Sequence, residues 1–230
     1  MRILAFETSA KAASVALLQD GNLLGEYMQN SGQTHSRTIM QMAQDLLRNC
    51  DLSAKDVDAA ACAAGPGSFT GVRIGLAAAK GFAWGREIPL IGVSTLEAMA
   101  KNIAAADGIY CAAMDARRDQ VYTAIFRMEN GVFTRLLEDS AISLQELGEN
   151  LRPLHGCKYL VGDGAALCFR YLNITIEGLR LLPEHLRMQR AAGVALLAWE
   201  QIEKGDMLPA AQVQPNYLRL SQAERERLKK

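Results

Sequence analysis

The first 29 residues alternate between apolar runs and short polar turns, which is typical of antiparallel strands. Residues 2–6 are strand-like, residues 13–18 return after a polar turn, and the chain leaves along residues 23–29. Asp20-Gly21 separates the last two runs, and Asp-Gly between apolar segments is a strong hairpin signal. The pattern therefore predicts an opening β-meander.

Residues 34–50 follow a helical period instead. Five apolar residues share one face of this predicted helix: Ile39, Met42, Ala43, Leu46 and Cys50. Met40 and Leu47 widen that face to an apolar arc of roughly 160°. A helix that packs only on its own core does not need so wide an apolar arc, so both edges of the arc must be covered. We therefore expect Met40 and Leu47 to contact a partner protein.

Helical and strand periods keep alternating to residue 203, which predicts an α/β protein in two halves. Further strands are predicted at 59–64, 89–93, 110–114, 121–128, 132–137 and 158–161. Further helices are predicted at 71–84, 95–106, 144–151, 165–171 and 189–203. The gap at 106–108 favours an N-terminal lobe of residues 1–106 that carries the partner-binding helices, and a C-terminal lobe of residues 107–230. We expect the last helix to pack back on the first lobe.

Composition describes an ordinary globular chain without a strong overall charge. Of the 230 residues, 50% are hydrophobic, and 25 Lys and Arg balance 25 Asp and Glu. Cations concentrate only in the tail, where acids are interleaved with them: Arg219, Glu224, Arg225, Glu226, Arg227, Lys229 and Lys230. Binding a polyanion needs clustered cations, so we expect any such contact to be shared with a partner.

The cysteines and the N-terminus suggest a cytoplasmic protein. The five cysteines form no CxxC pair, and most lie in apolar surroundings, as reduced packing residues do. Met1-Arg2 leads directly into a predicted strand, without the pattern of a signal peptide. The longest apolar stretches fall short of 18 residues, so no membrane span is predicted.

The segment Gly65-Pro66-Gly67-Ser68-Phe69-Thr70-Gly71 connects a buried strand to an alanine-rich helix. A glycine loop that opens a helix is the usual shape of an anion or nucleotide site. Gly71 is followed by Val72-Arg73 rather than the Lys-Ser/Thr of a P-loop, and Thr70 stands where a dinucleotide fingerprint needs its third glycine. The shape is therefore present without the usual phosphate chemistry.

Several separated motifs together resemble one family. They are Glu7-Thr8-Ser9 in the first turn, the glycine loop, Val93-Ser94-Thr95-Leu96, Met114-Asp115-Ala116-Arg117-Arg118 and Asn216-Tyr217-Leu218-Arg219. Their order and spacing closely resemble the TsaB (YeaZ) family, a branch of the actin-like ATPase (ASKHA) superfamily. The resemblance covers most of residues 1–127 and reappears at 216–219.

The resemblance implies a two-lobed fold, each lobe a mixed sheet with packed helices, and a role without catalysis. Members of this family bind TsaD, the subunit that forms threonylcarbamoyl-adenosine at position 37 of tRNAs reading codons that begin with A. The implied partners are TsaD in a heterodimer, the ATPase TsaE, a second copy when the chain is alone, and tRNA indirectly through the complex. The alternative is an ATP-dependent small-molecule kinase of the same superfamily.

The resemblance also identifies candidates for a nucleotide site: Glu7, Thr8, Ser9, Gly65 and Gly67. Catalytic members of the superfamily usually carry aspartate where this chain has Glu7, and a longer side chain would displace a bound ion. We expect the Thr8 and Ser9 hydroxyls to cap their own turn instead, and we expect no cofactor. No catalytic residue is predicted.

Metal and peptidase chemistry lack a suitable pattern. The three histidines, His35, His155 and His185, are at least 30 residues apart and form neither HxxxH nor HExxH. One helix cannot present two of them to a metal. We therefore expect no metal site and no peptidase activity.

Small residues recur every four positions in the helix after the glycine loop, at Gly71, Gly75, Ala79 and Ala83. Such a row forms a stripe nearly free of side chains along one helix face and allows another helix to approach closely. The stripe can face either the core of its own lobe or another protein. The family resemblance favours the partner, so these four residues join Met40 and Leu47 as predicted partner contacts.

Overall fold

The computed structural model describes residues 1–205 and 209–219, and its first lobe is built on a five-stranded sheet. The strands, in chain order, are β1 (Arg2–Glu7), β2 (Ala13–Gln19), β3 (Asn22–Gln29), β4 (Ala59–Gly65) and β5 (Leu90–Ser94). Their spatial order is β3-β2-β1-β4-β5, with β1 to β3 antiparallel and β4 and β5 parallel to β1. The predicted meander is confirmed, and both residues of its Asp20-Gly21 turn have positive φ.

The second lobe repeats this topology. Its strands are β6 (Gly108–Asp115), β7 (Gln120–Glu129), β8 (Val132–Ser143), β9 (Lys158–Val161) and β10 (Leu179–Leu181). Read from β8, the order β8-β7-β6-β9-β10 again places three antiparallel strands before two parallel ones. The two halves are therefore built on the same plan, although no sequence repeat is visible.

Within residues 1–205 and 209–219, seven α-helices cover the sheets. They are α1 (His35–Asn49), α2 (Phe69–Arg86), α3 (Thr95–Lys101), α4 (Leu144–Leu151), α5 (Ala165–Leu172), α6 (Glu184–Arg187) and α7 (Ala191–Glu203). Helices α1 and α2 pack on one face of the first sheet, and α7 with part of α3 packs on the other. Helices α4 and α5 cover one face of the second sheet, while α3 contacts its opposite face. Helix α3 thus lies between the lobes.

The N-terminus of α7 is fixed to the first sheet by a buried glutamate on β3. Glu26 accepts hydrogen bonds from the Ser14 hydroxyl and the Ala192 backbone N–H, each at 3.0 Å, and forms an ion pair with Arg190. A carboxylate that receives backbone N–H groups at a helix start replaces the missing intrahelical partners. The last long helix therefore packs on the N-terminal sheet.

Two predicted boundaries differ from the structure. Helix α3 ends at Lys101 rather than at 106, because the Ile103 and Ala104 N–H groups bond three residues back instead of four, and the Ala106 backbone bonds with the Tyr110 hydroxyl. Strand β8 continues six residues beyond the predicted end at 137. Its polar extension is stabilised by Arg135, which pairs with Glu97 on α3 and with Asp139.

The described part of the chain, residues 1–205 and 209–219, contains no helix that is long and apolar enough to cross a membrane. All five cysteines are free, and three of them are buried. Burial raises the pKa of the Cys62 and Cys111 thiols, which suits packing residues rather than nucleophiles.

Candidate functional site

The turn after β1 is buried and attached to the start of α2. The Thr8 hydroxyl donates to the Gly71 carbonyl at 2.7 Å, and the Ser68 N–H donates to the Ser9 carbonyl at 2.7 Å. The expected local capping was therefore wrong for Thr8, because its hydroxyl bonds across to the helix. The turn acts as a structural clamp between β1 and α2.

Glu7 lies inside this clamp and is 1% exposed. One of its carboxylate oxygens accepts the Ser9 backbone N–H at 2.5 Å. Burial raises the pKa of Glu7 to about 7, the negative charge of Asp163 adds to the rise, and hydrogen bonds with Ser9 oppose it. Glu7 does not line the cleft between the lobes.

The space beside the glycine loop is occupied by backbone atoms from other parts of the protein. Gly65 has a φ of +112°, and a Cβ there would lie 2.5 Å from the Asn216 carbonyl oxygen. A Cβ on Gly67 would lie 2.6 Å from the Ser9 carbonyl oxygen. These glycines are required by close backbone contacts within the molecule, so their presence does not need a bound nucleotide to explain it.

Residues 209–219, which we call the C-terminal strap, cross the loop and connect the two lobes. The Asn216 N–H donates to the Ala64 carbonyl of β4 at 2.7 Å. The Tyr217 ring stacks on Phe69 with centroids 4.8 Å apart, and its hydroxyl accepts from the Arg73 guanidinium at 2.7 Å. Arg219 then donates to the Ala116 carbonyl in the second lobe at 2.6 Å.

A cleft of about 570 Å³ remains between the lobes, beside the Ser9 turn and the glycine loop. Lys11 and Arg117 line it together with Asp115 and Asp163, so opposite charges face the same space. Burial raises the pKa of Asp163, while a 3.1 Å hydrogen bond from the Gln189 amide favours its charged form. The cleft can therefore accept a polar ligand.

The predicted stripe of small residues needs a correction, because it faces the core of its own lobe. Gly71, Gly75, Ala79 and Ala83 are all buried. A Cβ on Gly75 would lie 2.4 Å from the Thr8 hydroxyl oxygen, and one on Gly71 would lie 2.2 Å from the Thr8 carbonyl oxygen. The close approach that these residues permit is made by β1 and its turn, so in the single chain they are not available to a partner.

The opposite face of α2 is the accessible one, and the sequence reasoning missed it. Arg73, Ala77, Gly81 and Gly85 lie along that face at the same four-residue spacing. A Cβ on Gly81 or Gly85 would meet nothing within 4 Å. The signal was present in the sequence, since two rows of small residues run along this helix, but spacing alone does not show which row faces outward.

Apolar side chains flank this outer face of α2. Trp84 is 83% exposed and Met40 on α1 is 44% exposed. Leu47 was predicted as a partner contact but is only 5% exposed, because it packs into the core of its own lobe. A mainly apolar groove of about 620 Å³, lined by Met40, Leu47 and Phe82 among others, runs between α1 and α2. We call these outward surfaces of α1 and α2, with the groove between them, the α1–α2 surface.

The histidines do not meet at one site. His35 makes a 2.7 Å contact through Nε2 with the Ala10 carbonyl oxygen, and His155 and His185 are exposed elsewhere. Within residues 1–205 and 209–219, no group of three or more His, Cys, Asp or Glu side chains is placed to hold a metal ion.

Comparison with known proteins identifies relatives of this chain. Residues 25–162 match the family model described as TsaD, tRNA N6-adenosine threonylcarbamoyltransferase. The tRNA threonylcarbamoyladenosine biosynthesis protein TsaB of Bacillus subtilis is 32% identical over 97% of this chain and 96% of its own length. The TsaB of Escherichia coli is 35% identical over 95% of both chains.

Solved structures agree with the sequence comparison. YeaZ from Pseudomonas aeruginosa superposes with a TM-score of 0.79 at 27% identity, covering 94% of this chain and 99% of that one. A second structure, of an uncharacterised Pseudomonas aeruginosa protein with similarity to peptidase YeaZ, gives a TM-score of 0.82 at 27% identity, covering 95% of this chain and 99% of that one. The YeaZ structures share the fold of this chain over nearly its whole length, and the chain belongs to the TsaB (YeaZ) family of tRNA threonylcarbamoyladenosine biosynthesis proteins.

Proposed function

We propose that this chain is a non-catalytic subunit that binds and activates TsaD. TsaD would transfer the threonylcarbamoyl group to N6 of adenosine 37 in tRNAs reading codons that begin with A. The observation that carries the proposal is the α1–α2 surface, which combines the exposed Trp84 and Met40 with a helix face open at Gly81. An apolar face of this kind indicates an interaction site.

The geometry of α2 suits helix-on-helix association. At Ala77, Gly81 and Gly85 a partner helix could approach the α2 backbone closely, while Trp84 would supply a large anchor at one end. A second copy of the chain would use the same surface when TsaD is absent. Homodimer and heterodimer should therefore compete.

The remaining roles rest on the family to which the chain belongs. Partner contact would lie in the N-terminal lobe, residues 1–106, and the lobe of residues 107–230 would remain accessible. TsaE would join the assembly as its ATPase, and tRNA would be contacted through the complex rather than by this subunit alone. The assembly would act in the cytoplasm.

Gly81→Leu tests the proposal with little risk to folding. The added side chain meets open space in the single chain, and leucine is the better helix former by up to about 1 kcal/mol. It would hold a partner helix away from α2, and an overpacking cost of about 3 kcal/mol corresponds to roughly 100-fold weaker binding to TsaD.

Gln145→Leu is the matched control, because it adds the same side chain at an exposed position of α4 in the other lobe. Affinity is measured by calorimetry with purified TsaD, and folding by thermal melting of each variant. Wild-type affinity of a folded Gly81→Leu protein would refute the proposed surface.

The kinase alternative has one observation in its favour, the charged cleft that contains Asp115 and Asp163. Against it, Glu7 is buried outside that cleft, and Gly65 and Gly67 contact protein backbone. A kinase would bind ATP and magnesium as a lone subunit, which direct calorimetry decides.

A further inference from the structure

Strand β9 begins with a buried lysine. Lys158 is 4% exposed, and its backbone pairs with β6 on one side and β10 on the other. The rest of the strand is Tyr159-Leu160-Val161. Removing an ammonium group from water costs several kcal/mol unless its charge is compensated, so this residue requires an explanation.

The protein compensates the charge only in part. The Lys158 ammonium donates to the Glu177 carbonyl at 2.9 Å and to the Gly156 carbonyl at 3.3 Å. An ammonium carries three donors, so one has no hydrogen-bond partner among the described residues. No ion pair of Lys158 forms within residues 1–205 and 209–219.

Lys158 lines a cavity of about 550 Å³ between two loops of the second lobe. Arg152 and His155 line it from the loop before β9, and Glu177 lines it from the loop before β10. Gly178, with φ +71°, permits the loops to meet, because a Cβ there would lie 2.7 Å from the Gly156 carbonyl oxygen. The buried ammonium is thus held beside a space that is also lined by Arg152 and His155.

We propose that this cavity is a phosphate-binding site. Lysine is a common point-charge ligand for phosphate, and arginine and histidine side chains at the opening can donate to the remaining oxygens. A phosphate oxygen would take the third Lys158 donor and supply the missing negative charge. The phosphate can belong to a small molecule or to an RNA backbone.

The position of the cavity separates it from the other surfaces. It adjoins the N-terminal end of β9, whereas the interlobe cleft adjoins the loop after the C-terminal end of the same strand. The α1–α2 surface belongs to the other lobe. The site therefore does not depend on the proposed function, and it lies outside the surface proposed for TsaD.

NMR of the full chain titrated with sodium phosphate, against sodium chloride of equal ionic strength, tests the proposal. We expect saturable shifts of the amides at 156–158 and 175–178, with millimolar or tighter affinity. Lys158→Gln should weaken binding by about tenfold or more, because it removes the buried charge. Glu177→Gln should tighten it.

Arg180→Gln is the control, since it removes an equal charge from the exposed side of β10. It should leave phosphate affinity within about twofold, whereas a diffuse charge effect would weaken both variants equally. If Lys158→Gln does not fold, Arg152→Gln at the exposed edge of the cavity replaces it. We expect Arg152→Gln to cause a smaller loss of phosphate affinity, measured at the same amides. Competition by purified tRNA would identify an RNA backbone as the source of the bound phosphate. A lack of competition would identify a small phosphorylated molecule as the source.

Two results would overturn the proposal. One is that phosphate causes no saturable shifts at these loops in the wild-type protein. Shifts that occur only in the interlobe cleft, near Gly67 and Ser68, would count as this result. The other is equal weakening by Lys158→Gln and Arg180→Gln.

Discussion

Replacing Glu7 by glutamine should make the protein more stable at alkaline pH. The pKa of Glu7 rises from 4.5 to about 7 on folding, chiefly because the carboxyl is buried. A shift of this size corresponds to about 3 kcal/mol between the two protonation states. Below pH 4.5 the group is protonated in both folded and unfolded chains and contributes nothing to the pH dependence.

The sign follows from the raised pKa. Between about pH 4.5 and 7 the unfolded chain loses the Glu7 proton before the folded one does, so the free energy of unfolding falls as pH rises through that window. Above pH 7 the charged, buried Glu7 lowers the free energy of unfolding of the wild type by the full amount of about 3 kcal/mol. Glutamine has no proton to lose and can still accept the Ser9 N–H through its side-chain oxygen.

Urea denaturation of wild type and Glu7→Gln at pH 5 and pH 8 measures the effect. The advantage of the variant should grow by about 2–3 kcal/mol from the lower pH to the higher one. Glu149→Gln, at an exposed position of α4, is the control for removing a carboxylate. An advantage that does not change with pH would refute the reasoning about burial.

Three other predictions concern the core and the cleft. Gly75→Leu should destabilise the single chain by at least about 2 kcal/mol in urea denaturation, because even a Cβ clashes with the Thr8 hydroxyl, and unchanged stability would contradict the buried placement. The lone protein should bind ATP and magnesium weakly, and a micromolar dissociation constant, about −8 kcal/mol in calorimetry, would favour the kinase alternative. Elemental analysis should find no stoichiometric zinc or iron, and a metal near one per chain whose removal abolishes function would contradict this expectation.

Local patterns predicted the elements that depend on local chemistry. The Asp20-Gly21 hairpin, the start of α3 at Thr95 and helix α4 at Leu144–Leu151 all lie where the sequence places them. Their signals are turn residues, caps and periodicity, and each acts over a few positions.

Features that depend on distant contacts could not be predicted. Position 65 must be glycine because a side chain there would clash with the Asn216 carbonyl. Neither the sequence around Gly65 nor the sequence around Asn216 shows this contact. The two small-residue rows of α2 have equal spacing, so only the position of the Thr8 turn determines that Gly75 faces inward and Gly81 outward. The polar sequence at the end of β8 is typical of a loop, and the ion pair between Arg135 and the distant Glu97 is not visible in it.

The most direct test of the proposed role is tRNA modification by TsaD from the same organism, with threonylcarbamoyl-adenylate supplied and TsaE present. We predict that the wild-type chain strongly stimulates threonylcarbamoyl-adenosine formation, that Gly81→Leu does not, and that the chain without TsaD forms none. Modification by the chain alone, or equal modification by TsaD with and without it, would contradict a non-catalytic activating subunit.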